Sequence, residues 1–131
     1  MKGGGNGSGL APAPAAEKER NSRPVDLVHL SRYTLGERAL EIELLELFCA
    51  QAEACLQRLA AAEAERDWTE TAHTLKGSAR AIGAWRVGDA AERAESLGGA
   101  ALAEARAAAL GALELAVGEA RTYIRTVLQD R

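Results

Sequence analysis

One stretch of the chain holds residues whose types and spacing can do chemistry: His73-Thr74-Leu75-Lys76-Gly77-Ser78-Ala79-Arg80-Ala81-Ile82-Gly83-Ala84. On a helix turning about 100° per residue, Ala72, Leu75, Ala79 and Ile82 form a buried stripe. His73 is one step round from Ala72, at the border of that stripe and the solvent face. Lys76, Gly77 and Arg80 follow it on the same face, and Thr69 lies one turn below. A solvated imidazole, with a reference pKa of about 6.5, is largely neutral at pH 7 and can act as a nucleophile toward phosphorus. Phosphorylation adds negative charge, which Lys76, and as a further candidate Arg80, are placed to offset. Glycine costs about 1 kcal/mol in a helix interior, so Gly77 implies a benefit elsewhere. That benefit is a bare patch beside the imidazole, through which another protein's active site can approach. Thr69 and Glu70 border this face as partner-docking candidates. Ser78, about 140° round the helix from His73, reads as a packing residue with its hydroxyl bonded to the backbone.

The elements that must position these groups are all helical. Asp26 is a suitable N-cap for a short helix carrying Leu27, Leu30 and Tyr33, and Thr34-Leu35-Gly36 breaks it. A long helix over about 37–64 shows Ile42, Leu45, Cys49, Ala52, Leu56 and Leu59 in alternating steps of three and four, the spacing of a bundle helix. A second stripe, Leu40, Leu44, Leu47 and Phe48, predicts neighbours on two sides. A third helix starts near Asp67 with Trp68, Ala72, Leu75, Ala79 and Ile82. A fourth covers about 87–97 and stops at Gly98-Gly99. The last presents Leu110, Leu113, Val117, Ala120, Ile124 and Leu128. The fold expected is all-α, an antiparallel four-helix bundle over 25–131 with a short leading helix. Residues 1–24, rich in Gly, Ala and Pro, read as a disordered tail.

The motif closely resembles the signature of histidine-containing phosphotransfer (HPt) domains, His-x-x-Lys-Gly followed by two small residues and a small-apolar-Gly stretch. His73, Lys76, Gly77, Ser78 and Ala79 fit in register, and Ile82-Gly83-Ala84 continues it. The likeness extends over about 100 residues, from Val25 to Leu128, with 25–27 leading to 44–48 similar to the family's first two helices and 90–97 to its fourth. The resemblance implies a phosphorelay intermediate that binds and hydrolyses no ATP. His73, through Nε2, takes a phosphoryl group from the aspartate of one receiver domain and passes it to another. Lys76 lies beside that group and Gly77 leaves room for the receiver. Receiver domains of response regulators and of a hybrid or cognate histidine kinase are the implied partners. No cofactor of its own is implied; the receiver supplies Mg²⁺.

Composition narrows the field further. The chain has 131 residues, enough for one domain, and its 47% hydrophobic and 27% charged residues are a globular balance. Aromatics are only 4%, so aliphatic side chains and alanine must fill the core. A net charge of −3 argues against nucleic acid. No apolar run approaches the roughly 20 residues that span a bilayer. The start, Met-Lys-Gly-Gly-Gly, is no signal peptide, so the expected location is cytoplasmic. Cys49 and Cys55, six residues apart on one helix, are about 9 Å apart along its axis, outside disulfide reach, and read as core-filling thiols.

His29, with no Lys-Gly after it, serves as an internal control and reads as an ordinary surface or edge residue. Lys76 is the only lysine after the tail, in a domain that otherwise uses arginine. Two other classes compete with a phosphocarrier. A kinase dimerisation helix puts an acid directly after the His and a proline beyond it, where Thr74 and Ser78 stand here. No Gly-rich nucleotide segment follows. The phosphoacceptor domain of a chemotaxis-type kinase shares the motif, although a chain with its own start and tail favours a stand-alone protein. The other competitor is a helical interaction module that is never phosphorylated, and a buried His73 ring would favour it. Paired Glu-x-x-His motifs of a metal-binding bundle are not present. Because one chain supplies all four helices, a monomer is expected.

Overall fold

The computed structural model describes residues 23–98 and 103–129. Five helices lie among these described residues: α1 Leu27–Thr34, α2 Arg38–Ala61, α3 Glu65–Ile82, α4 Trp85–Leu97 and α5 Ala103–Gln129. No strand occurs among the described residues. The tail expected over 1–24 lies outside them except for Arg23 and Pro24, as does Gly99.

Each boundary has a local cause. Asp26 caps α1 by accepting the His29 N–H at 3.1 Å. The helix ends where Leu35 and Gly36 take left-handed backbone, φ 55° and 80°. Gly83, φ 84°, closes α3 in a Schellman motif: its N–H reaches Arg80 O, and the Ala84 N–H reaches Ala79 O at 2.8 Å. A Cβ on Gly83 would stand 2.8 Å from Asp26 O. The Asp26 N–H in turn donates to Gly83 O at 2.9 Å, which seats α1 on the α3–α4 turn.

Helices α2 to α5 form the expected four-helix bundle, each packed on its two neighbours, with α1 against α2 and α3. The pairing is antiparallel. Along the α3–α4 seam the residue number rises on one helix as it falls on the other, from His73–Glu95 to Arg80–Glu92. The core is aliphatic and small, as composition predicts. Leu30, Leu45, Leu59, Leu75, Leu113, Val117 and Ile124 interlock with a run of fully buried alanines, including Ala72, Ala79, Ala91 and Ala94. Alanine at these positions brings α3 and α4 close together, and theirs is the most extensive helix pair in the molecule. Trp68, 2% exposed, is the largest side chain buried in the centre among the described residues. Its Nε1–H donates to Ala94 O at 2.8 Å, and the Arg106 guanidinium stacks over its ring at 4.5 Å.

Two sequence expectations need correction. The buried line of α2 is Leu45, Phe48, Ala52, Cys55 and Leu59, rotated from the expected stripe, with Cys49 and Leu56 at its edge. Phe48, placed in a second stripe by spacing, belongs to this line. Leu47 is 60% exposed, so the second stripe does not continue through it. Both stripes satisfy the same three-four spacing, and only the positions of α3 and α5 select between them. The thiols behave as expected of core fillers: Cys55 is buried, Cys49 half-buried, both are free, and burial raises the pKa of each.

Candidate functional site

The α3–α4 seam places His73 at the surface. Its side chain is 66% exposed, because Ala72 next to it faces the core and turns His73 to the rim. The ring is nevertheless held. Nδ1 lies 2.8 Å from Glu95 Oε2, and the other oxygen of that carboxylate, Oε1, lies 2.7 Å from Lys76 Nζ. One carboxylate on α4 thus bridges the two motif residues on α3.

This bridge has an electrostatic consequence. The Lys76 hydrogen bond, joined by that of His73 and opposed by partial burial, keeps the Glu95 carboxyl below its ordinary pKa. An ionised carboxylate only accepts, so Nδ1 must carry the proton that it receives. In the neutral ring the lone pair is then on Nε2. Lys76 is 20% exposed, and its ammonium shares the Glu95 carboxylate with the imidazole.

The other predicted residues divide. Gly77 is exposed, and a Cβ there would meet nothing within 4 Å, so the protein's own packing makes no demand for glycine at this position. Arg80 is not turned toward the imidazole. Its guanidinium pairs with Glu92 and reaches Asp89 at 3.9 Å, both on α4. Its stem crosses Gly88 so closely that a Cβ there would stand 3.0 Å from Arg80 Cγ. Thr69 is half-buried one turn below His73. Glu70 is exposed and paired with Arg66 at 2.8 Å. Ser78 differs from expectation: its hydroxyl donates to Gln51 Oε1 on α2 at 3.0 Å and not to the backbone, because that neighbour stands within reach.

His29, the control, sits at an edge as expected. Its ring meets Tyr33 and Trp85 edge-on, with centroids at 5.2 and 4.7 Å, and it has no neighbouring lysine. Glu70 and His73 form a single Glu-x-x-His spacing. No group of three or more His, Cys, Asp or Glu among the described residues is placed to hold a metal. No described helix is long and apolar enough to cross a membrane.

Glu95 is the member that reading the motif missed. A signal for it was present: it borders Ala94 as His73 borders Ala72. The two also lie at similar distances from the Gly83 turn, 10 residues before and 12 after. In an antiparallel hairpin such residues face each other.

A family model described as Hpt domain matches residues 43–123, which includes His73, Lys76, Gly77 and Glu95. The chain belongs to the Hpt family. The match also covers most of α2, all of α3 and α4, and the larger part of α5. Hpt domains are phosphocarriers of two-component signalling and work with response-regulator receiver domains and kinases, which sets the broad role of this chain. Searches among curated proteins and solved structures give no match.

Proposed function

We propose that this Hpt protein is an intermediate of a His-Asp phosphorelay, with His73 Nε2 as phosphoacceptor. The observation that carries this reading is the exposed imidazole whose Nδ1 proton is held by an ion-paired carboxylate, leaving Nε2 as the nucleophile. In the forward step the Nε2 lone pair attacks the phosphorus of a receiver's aspartyl phosphate. The Nε2–P bond forms, the acyl P–O bond breaks, and the aspartate leaves as carboxylate. Nδ1 keeps its proton throughout, and Glu95 faces the positive charge that develops on the ring. Lys76 moves to offset the phosphoryl oxygens, and Gly77 leaves the approach unobstructed. Arg80, held by Glu92 and Asp89, acts at longer range. Return to a second receiver aspartate is the same step reversed.

The chain carries the nucleophile and its orienting groups, and the receiver brings the aspartate pocket and Mg²⁺. On this reading the chain acts as a carrier, with no kinase activity of its own, and works as a cytoplasmic monomer. The test is transfer from a phosphorylated receiver domain to wild type and to His73→Gln. An acid-labile, base-stable adduct on wild type alone is the expected result. Failure of every receiver in a panel, with the bundle folded, would favour an interaction module. Labelling of His73→Gln would move the acceptor elsewhere.

A further inference from the structure

The helix diagonal to α3 has an outer face of unexpected composition. α5 packs on α2 and α4, as α3 does, so its solvent side points away from His73. Leu115 lies at the middle of that side, 66% exposed. Between 111 and 122, the residues within about 60° of it by helical geometry are Gly111, Ala112, Gly118, Glu119 and Thr122, all exposed. Glu119, the one charge among them, is paired with Arg86 at 3.6 Å. Charge returns at one edge, where Glu114 and Arg125 lie about 100° and 80° round from Leu115. Water-facing helix sides are ordinarily polar across their centre, and this one is apolar and low. Its C-terminal half is the floor of a groove of about 700 Å³, lined also by Pro24, Arg86 and Tyr123.

Pro24 fixes where the preceding chain enters. Asp26 is seated on the α3–α4 turn, and Arg86, just beyond that turn, reaches Glu119, so Pro24 stands beside the C-terminal half of α5. From there the face runs on toward Gly111, and 23 residues of chain precede Pro24. We infer that the α5 groove is a docking site for the chain's own segment 10–22. The groove follows α5 from Glu114 to Thr126, about 18 Å at 1.5 Å per residue. An extended chain covers that distance in about six residues. Lys18 and Arg20 then come to Glu114, which has no ion-pair partner among the described residues. The apolar run Leu10-Ala-Pro-Ala-Pro-Ala-Ala16 follows onto the low face around Gly111 and Ala112. Prolines reduce the entropy lost on docking, and an aromatic wall such as Tyr123 suits such a segment. Because the segment is tethered at the groove, its local concentration is on the order of 1 mM, so even a weak contact is occupied. The inference does not rest on the phosphotransfer reading.

The experiment reads trypsin cleavage after Lys18 and Arg20 in the full chain, at low protease, against a synthetic peptide of residues 8–25. Cleavage then follows the undocked fraction. Wild type should be cut at least about threefold more slowly than the peptide, given the tethered concentration. Gly118→Gln fills the groove floor, and a Cβ there meets nothing within 4 Å, so the bundle is left intact. It should return cleavage to the peptide rate, and Glu114→Gln should return it part of the way. Thermal melts confirm that both variants fold. Equal rates in wild type and peptide would overturn the inference. So would protection that Gly118→Gln does not relieve, which would put the segment elsewhere on the protein. Protection that grows with protein concentration would overturn it in favour of another chain's segment in the groove.

Discussion

At His73 the two ring nitrogens have different environments, and the difference is the basis of the chemistry. Nδ1 is tied to a carboxylate at 2.8 Å, on a ring that is two-thirds exposed. Replacing that carboxylate by an amide, Glu95→Gln, keeps an oxygen acceptor but removes its charge. Hydrogen bonds to charged partners exceed neutral ones by about 1 kcal/mol. Transfer to His73 should therefore slow by several-fold to about tenfold, read by single-turnover kinetics with a phosphorylated receiver. The same carboxylate makes a pH prediction. Its pKa is lowered by folding, first by the Lys76 hydrogen bond, so the stabilisation it contributes is present above the unfolded value of about 4.3. That contribution is lost as pH falls through the lower folded value. The difference in melting temperature between wild type and Glu95→Gln should accordingly be present at neutral pH and disappear in acid. A difference that grew below pH 4 would contradict this account.

Among the elements, α3 and its C-cap carry four small residues with three separate causes, and substitutions distinguish them. Gly77 lies mid-helix with open space around it. Gly77→Ala should stabilise the protein by about 1 kcal/mol while slowing transfer from a receiver, a combination that thermal melts and kinetics measure independently. Gly83 closes the helix at φ 84° with Asp26 O 2.8 Å from where a Cβ would be. Gly83→Ala should destabilise by at least about 1 kcal/mol and loosen α1 from the turn. Ala72 and Ala79, fully buried against α4, set the close spacing that lets a glutamate reach both His73 and Lys76. Larger residues there would open the seam before they touched the site.

For the molecule as a whole, stability and chemistry are spatially separate. Trp68 anchors the base of α3 through its bond to Ala94 O and its contact with Arg106. Trp68→Phe leaves that buried carbonyl without its donor and should cost about 1–3 kcal/mol in chemical denaturation. Transfer per folded molecule should stay near wild type, because α3 and α4 keep their register through the alanine seam. An equal loss of activity in the folded fraction would mean that the base of α3 controls the geometry at its middle.

Much of this protein was legible in its residues. The helical periods, the break at Gly36, the Gly83 stop and the motif from His73 to Ala79 are local properties, set by backbone sterics and by which side chains avoid water. They were enough to predict a bundle and an exposed histidine. Tertiary structure decided what depended on neighbours from elsewhere in the chain. The α2 residues offered two stripes of the same spacing, and the packing of α3 and α5 buried Phe48 and left Leu47 exposed. Arg80 shares a helix face with His73, yet Glu92 and Asp89 on α4 draw its charge away. Ser78 found Gln51, 27 residues earlier, in place of its own backbone. Above all, Glu95 reaches His73 and Lys76 across 22 and 19 residues of chain. A spacing rule follows one helix at a time, whereas the protonated nitrogen of His73 is selected by a carboxylate on the next.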